Sequence, residues 1–430
     1  MKKLLSIILT VALLAGMTVI PAMAQSASPL ELTMYFPVNV GGSVAQLVEN
    51  MTADFNKENP DIKVTAVYTG NYGDTVTKIQ TAIQGGNAPD LFVSLATQRF
   101  TMASTKMAMP LDELIAADPD GQAFVDDFID GFMLDSYVDG SIYSIPFQRS
   151  TMVVFYNKDA FKEVGLDPEA PPTNWTELVD YAQKLTNANR YGVGIALNSG
   201  SAQWAFTGFS LENCTNGVGL MAADGKTIYF NNPENVEALQ LWLDLQNKYK
   251  CMAPGIVQWT DLPTQFLAGE VAMIYHTTGN LTNIRKNATF DFGVCFMPAG
   301  KQYGAPTGGG NFYITNGISE ERQKAAWKFI RFCCDTNRAA QWSIDTGYVA
   351  TRESCYETKA LKDYYASFPQ AKVAYEQLQY AQPELTTYSA AEMWQILNDN
   401  IQAAVTGEMT AEEALAAAQE QGDELLADYR

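Results

Sequence analysis

Histidine is almost missing from this chain: His276 is the single one in 430 residues. A zinc site built on Cys and His therefore has no ligand set, and a nucleophile–His triad has one position to form around. The six cysteines, Cys214, Cys251, Cys295, Cys333, Cys334 and Cys355, include no C-x-x-C pair, which removes the zinc-ribbon and thioredoxin-type motifs. No G-x-S-x-G elbow occurs, so the strained nucleophile turn of the serine hydrolases has no counterpart. Basic residues are scarce as well, 28 against 48 acidic ones, for a formal charge of −20. Such a surface repels nucleic acid and anionic lipid, so neither is expected as a partner. After Gln25 no apolar run reaches the roughly 20 residues that a spanning helix needs.

What is present begins with an export signal. Lys2 and Lys3 precede an uncharged apolar run from Leu4 to Leu14, and the stretch ends Ala22-Met23-Ala24 before Gln25. A basic start, a short apolar segment and a small-x-small exit form the signal-peptide pattern, here residues 1–24. Pro21 interrupts the run, which argues against a membrane anchor. No Cys follows it, so a lipid-anchored form has no attachment point and the expected location is periplasmic or secreted. Cleavage leaves 26 basic residues against 48, a formal charge of −22. A hydrophobic content of 47% is ample for packed cores, and the ~406 remaining residues exceed what one core holds, so two domains are expected. In an oxidising compartment Cys214 and Cys251 are candidates for a disulfide, and buried thiols are the equally open alternative.

Along the chain, short apolar runs alternate with helical spacing. Leu30–Phe36 reads as a strand. Gly41-Gly42 then opens a helix carrying Val44, Leu47, Val48, Met51 and Phe55, which Pro60 stops. Ile62–Tyr68 alternates as a second strand, Val76–Ile83 is helical, and Leu91-Phe92-Val93 follows a turn at Gly86–Pro89. A second series runs through Trp175–Leu185, Val193–Leu197 and Val236–Tyr249, and the chain is mostly helical from Ser319. Strand and helix in strict alternation predict an α/β protein with a parallel sheet covered on both faces.

Several segments in order resemble the family-1 extracellular solute-binding proteins, the maltose-binding-protein-like class. Asp54-Phe55-Asn56-Lys57-Glu58-Asn59-Pro60 is similar to the family's opening segment, and Gly86-Asn87-Ala88-Pro89-Asp90-Leu91 to its "GxxPDL" turn. Tyr143-Ser144-Ile145-Pro146-Phe147, Val154–Phe161, Gly165–Trp175, Phe266-x-x-Gly269-x-x-Ala272-Met273 and Thr346-Gly347-Tyr348 continue the series over nearly the whole exported chain. The resemblance implies a type II periplasmic-binding-protein fold: two Rossmann-like lobes joined by a hinge that closes on a ligand. Crossings near Phe147, Ile274 and Gly317 place residues 30–147 with 274–317 in an N-terminal lobe, and 148–273 with 318–430 in a C-terminal lobe. It implies a monomer that binds without turnover, needs no cofactor or metal, and delivers its ligand to the membrane permease of an ABC importer.

Within the family, the sn-glycerol-3-phosphate-binding branch is the nearest in pattern. Its ligand contacts fall on Tyr72, Ser150, Thr277, Gly309 and Tyr348. Tyr72 and Tyr348 offer flat faces with hydroxyls, Ser150 and Thr277 short donors, and Gly308–Gly310 close backbone approach. Two positions depart from the branch. Ala96, beside Thr97 and Gln98, stands where the branch carries an acidic residue, and Trp394 stands where it carries a phosphate-binding Arg. Loss of that Arg removes a bidentate clamp, while Trp394 adds a sugar-stacking face. Arg149, next to Ser150, is the candidate to restore the charge. The ligand expected is a neutral carbohydrate or polyol, with sn-glycerol 3-phosphate or a glycerophosphodiester as the alternative. Alanine at Tyr348 or Trp394 is expected to weaken binding while changing the melting temperature little.

Other aromatics carry plainer readings. Trp175 and Trp242 sit at the apolar spacing of helices and belong to cores. Trp204, in a loop before an apolar segment, is a candidate for the cleft, with Trp259, Tyr35 and Phe36 weaker ones. His276 is expected to pack or hydrogen-bond near the hinge. A secreted glycoside hydrolase is the rival class: Asp135, Asp139, Asp261 and Glu270 supply carboxylates, yet such an enzyme needs two facing each other across the bond. The resemblance over the whole chain favours a binding protein.

Overall fold

The structure is a computed structural model that describes residues 28–38, 40, 43–198, 201–215 and 219–430. The predicted leader and the Gly41-Gly42 helix opening lie outside those residues. Leu30–Phe36 (β1) turns Leu32, Met34 and Phe36 inward on alternate positions. It pairs in parallel with Ile62–Tyr68 (β2) and Leu91–Leu95 (β3). The intervening helix Val44–Glu58 buries Val44, Val48, Thr52 and Phe55, one stripe at helical spacing. The next helix, Tyr72–Gln84, starts at Asn71 with a capping box closed by Asp74.

The middle of the sheet departs from the expected pattern. Ile145–Asn157 (β4) is thirteen residues long and buried throughout. It runs antiparallel to Val271–Thr277 (β6), to Phe292–Cys295 (β7) and to Ala305–Ile314 (β8), and β8 runs antiparallel to β3. The sheet is therefore mixed, in the order β2-β1-β3-β8-β4-β6-β5, where β5 is Tyr191–Gly194. Parallel pairing survives in the two outer parts, where helical crossovers connect the strands; the two long central strands pass between the parts and pair with each other. β5 stops at Gly194, short of the predicted Leu197.

Two main cores lie on either side of this crossing. One gathers Leu32, Phe36, Phe55, Ile145, Phe147 and Phe312, the other Met152, Phe206, Phe209, Trp242, Tyr275 and Trp394. Helix Glu320–Cys333 packs Ala326, Phe329 and Ile330 into the first, with Phe329 and Phe332 edge-on to Phe55 at 5.0 and 5.2 Å. The sequence-based division assigned this helix to the C-terminal lobe. Conversely, Ile274 and the segment through Met297 were assigned to the N-terminal lobe, and they pack with Val153, Met152 and their neighbours. The reason is pairing: β6 and β7 hold to the C-terminal half of β4, so the chain returns to the first core only along β8.

Candidate functional site

The carboxyl end of β3 is the natural place for a site, because its strand stops there and backbone groups turn outward. Leu95 leads into a tight turn, Ala96–Gln98, and then a short helix, Arg99–Ser104, so that Thr97, Gln98 and Arg99 are all buried. Beneath them β8 lies against β4 with Gly310 opposite Gln148, Gly309 opposite Arg149 and Gly308 opposite Ser150. A bulge between Gly310 and Asn311 shifts the register there.

Charge is concentrated at this crossing. Asp135 accepts from Arg99 Nη1 at 2.7 Å, from Arg149 Nη2 at 3.1 Å and from Thr307 Oγ1 at 3.1 Å. Arg149 also donates from Nη1 to Asn311 Oδ1 at 3.2 Å and stacks over Phe132. Both Arg149 and Asp135 are 0% exposed. The guanidinium proposed from sequence as a substitute phosphate clamp thus has its two terminal nitrogens engaged inside the protein.

The three glycines of β8 serve close packing. A Cβ on Gly308 would lie 2.6 Å from the Trp204 ring, and one on Gly310 would lie 2.9 Å from the Tyr72 hydroxyl. At Gly309, φ is +92° and a Cβ would lie 1.8 Å from the Gln148 carbonyl oxygen, so only glycine fits. Trp204 Nε1 donates to the Thr307 carbonyl at 2.9 Å, and Tyr72 donates to Gln148 Oε1 at 3.2 Å. Tyr348 lies beside Tyr72, and burial pushes both phenols up. Gly279 approaches the Tyr348 ring, and Gly279 N donates to Thr277 Oγ1 at 3.2 Å. The structure therefore brings Tyr72, Arg149, Ser150, Gly309, Trp204 and Tyr348 around one crossing, with Thr277 joined through Gly279.

Trp394 stands apart. It is buried in the second core and its Nε1 donates to the Leu385 carbonyl at 3.0 Å. It adjoins the crossing through Glu384, the residue before Leu385. Phe36 packs in the first core and Tyr35 beside Phe92. Trp259 stacks on His276 with ring centroids 3.7 Å apart and sits edge-on to Trp204. His276 packs and hydrogen-bonds, to the Trp259 carbonyl and to Asn280, as expected, and burial holds its pKa down to about 3, so the ring is neutral. Trp242 is a core residue, while Trp175 donates from Nε1 to Glu212. No disulfide joins Cys214 to Cys251: Cys214 Sγ accepts from Gln302 and Cys251 packs in the second core.

Sequence reasoning named Thr97, Gln98 and Arg149 here but passed over Arg99, Gln148 and Glu384, which complete this place. Thr97 Oγ1, Gln98 Oε1, Arg99 Nε, Gln148 Nε2, Arg149 Nε and Thr387 Oγ1 are buried without a hydrogen-bond partner among the described residues. Glu384 is 5% exposed, faces Asp135 and Arg149, and takes no hydrogen bond on its carboxyl from a described residue. Buried polar atoms are nearly always matched in folded proteins, so a cluster of orphans marks where water or a ligand belongs. Gln148 was legible in principle, between Pro146-Phe147 and Ser150-Thr151. Glu384 carried no signal, since a lone acid after a proline reads as a loop.

Among the described residues no group of three His, Cys, Asp or Glu could hold a metal ion, and no helix is long and apolar enough to cross a membrane. A family model described as bacterial extracellular solute-binding protein matches residues 50–370. The chain is 31% identical to the sn-glycerol-3-phosphate-binding periplasmic protein of Pectobacterium atrosepticum, covering 97% of this chain and 95% of that one. It is 31% identical to the Salmonella typhimurium protein of the same name, with 92% of each covered. Among solved structures, UgpB from Mycobacterium tuberculosis in complex with glycerophosphocholine matches with a TM-score of 0.81 at 23% identity, covering 94% of this chain and 99% of that one. A Listeria monocytogenes ABC substrate-binding protein in complex with cycloalternan matches at 0.80 and 23%, covering 93% and 99%. The fold is that of the type II periplasmic binding proteins.

Proposed function

The chain belongs to the bacterial extracellular solute-binding proteins, and from that premise we propose that it captures a neutral carbohydrate or polyol and delivers it to the permease of an ABC importer. The orphaned polar atoms at the β4–β8 crossing carry this reading. Arg99 Nε, Arg149 Nε and Gln148 Nε2 can only donate, Gln98 Oε1 can only accept, and the threonine hydroxyls do either. A ligand that satisfies such a mixture must itself both donate and accept, which is what an array of hydroxyl groups does. A phosphate at neutral pH chiefly accepts. Tyr72, Tyr348 and Trp204 supply flat apolar faces beside these groups, with Ser150, Thr277, Gly309 and Arg149 around them and Trp394 behind.

Facing walls touch in this structure, as at Phe100, on the short helix after β3, with Tyr388 and Gly225, so a ligand enters only when they part. Bending of β4 and β8, the strands that run between the two cores, is the motion that parts them. Ligand binding then favours the closed form through contacts made only there. Export by the leader, with residues 1–24 removed, places this cycle outside the cytoplasmic membrane, and the protein acts as a monomer without turnover. The second reading, sn-glycerol 3-phosphate or a glycerophosphodiester, draws on the named ligands of the relatives and on the two buried guanidiniums.

A thermal-shift screen with maltose, ribitol, sn-glycerol 3-phosphate and glycerophosphocholine separates the two. A ligand at about 1,000 times its dissociation constant adds roughly 4 kcal/mol, a shift of several degrees. A shift with maltose or ribitol is expected. Shifts confined to the phosphate compounds would reject the neutral ligand class.

A further inference from the structure

The charge count at the β4–β8 crossing is unbalanced in a way that depends on one side chain. Arg99 and Arg149 bring two positive charges and Asp135 one negative, all within 3.1 Å contacts and almost entirely buried. Glu384 is the fourth charged group: it is 5% exposed, it lies two residues beyond Gln382, which pairs with Pro306 next to the Asp135-bonded Thr307, and its charge acts on Asp135 and Arg149. Its charge also reaches Tyr72, the tyrosine that bonds Gln148. With Glu384 ionised the four groups sum to zero. With Glu384 protonated they sum to one positive charge.

Taking this crossing as the ligand site, as argued above, we propose that Glu384 decides which ligands it accepts: uncharged hydroxylated molecules at any pH, and phosphate-bearing ones only together with a proton. A ligand hydroxyl suits either form of Glu384, donating to the carboxylate or accepting from the acid. A phosphate oxygen only accepts. Beside an ionised Glu384 it places two like charges in a buried site, where little water screens them. Beside the acid form it accepts the carboxyl proton and also meets the unmatched positive charge of Arg99 and Arg149. Burial, and then the neighbouring Asp135, already favour the acid form, while Arg149 opposes it. The other titratable groups packed here do not interfere: Tyr72 and Tyr348 are pushed up by burial, and His276 is held neutral.

The test is isothermal titration of the purified protein between pH 5.5 and 8.5, with maltose, ribitol and a phosphodiester of two glycerols. The diester's single charge does not titrate in this range. Its affinity is expected to fall about tenfold per pH unit above the Glu384 transition, with about one proton taken up per diester bound in paired buffers of different ionisation heat. Glu384→Gln is expected to bind the diester at every pH as the parent does at pH 5.5, while maltose and ribitol titrate flat in both proteins. Glu384→Asp, should the Gln variant fold poorly, keeps the slope and moves its midpoint. A flat diester profile in the parent, an equal slope in Glu384→Gln, or no diester binding at pH 5.5 overturns the proposal. If the slope appears and vanishes in Glu384→Gln but neither maltose nor ribitol binds, the neutral ligand class fails and the role of Glu384 stands.

Discussion

Asp135→Asn tests whether the buried charge cluster is as tightly bound as its geometry implies. Oδ1 of Asp135 takes Arg99 at 2.7 Å, and Oδ2 takes both Arg149 and Thr307 at 3.1 Å. Asparagine can keep one of these edges. If its oxygen stays toward Arg99, its amide N–H groups point at the Arg149 nitrogen, where donor meets donor, and at the Thr307 hydroxyl, which can turn to accept. Two guanidiniums are then left without their carboxylate in a site that is 0–5% exposed. Removing one partner of a buried pair costs about 3–5 kcal/mol. At roughly 2–4 °C per kcal/mol for lobes of this size, the melting temperature should drop by about 6 °C or more. Differential scanning calorimetry at pH 7 reads this directly. Adding Arg99→Met to Asp135→Asn should recover part of the loss, since one uncompensated charge goes with it. A single variant melting within about 2 °C of the parent would refute the argument, because the cluster would then be open to water.

Three further outcomes follow from the same packing and burial. Trp394→Ala should lower stability by about 3–5 kcal/mol, because the ring is buried in the second core; equilibrium denaturation checks this, and it revises the expectation that only binding would suffer. Tyr348→Phe removes a hydroxyl beside Tyr72 and should weaken ligand binding about five- to tenfold in titration calorimetry, with little change in melting temperature. Glu212 is fully buried, with one oxygen accepting from Trp175 Nε1 and the other unpartnered, and burial raises its pKa well above the usual carboxylate range. Its ionisation therefore costs stability as pH rises through the folded-state value, whereas below the unfolded-state value of about 4.3 both states hold the proton. Glu212→Gln should accordingly raise the melting temperature relative to the parent at pH 8.5 and leave it nearly unchanged at pH 4, measured by circular dichroism.

Much of the architecture was readable because it is written in local periodicity. Leu32, Met34 and Phe36 alternate, and Val44, Val48 and Phe55 repeat at helical spacing, so β1 and its following helix appear where expected. Trp175–Leu185 has the bounds read from its pattern. The mixed sheet was not readable, since a strand's hydrophobicity does not record its partner's direction. Nor was the packing of Glu320–Cys333 on Phe55, a contact between segments nearly three hundred residues apart.

The candidate site divides the same way. Motif order alone brought forward Tyr72, Ser150, Gly309 and Tyr348, because each lies in a short segment whose residues act together. Asp135, Arg99, Gln148 and Glu384 come from four separate segments, and each is unremarkable in its own neighbourhood. Their meaning depends on distances between charges and on removal from water, both properties of the folded chain. By itself, then, the amino-acid sequence determined the family and the two-lobed α/β class, both of which rest on patterns within a few tens of residues. Only the tertiary structure decided that Arg149 is neutralised by Asp135, that Trp394 is packed in a core, and that Glu384 faces the charge cluster, because burial and charge pairing exist only once distant segments meet.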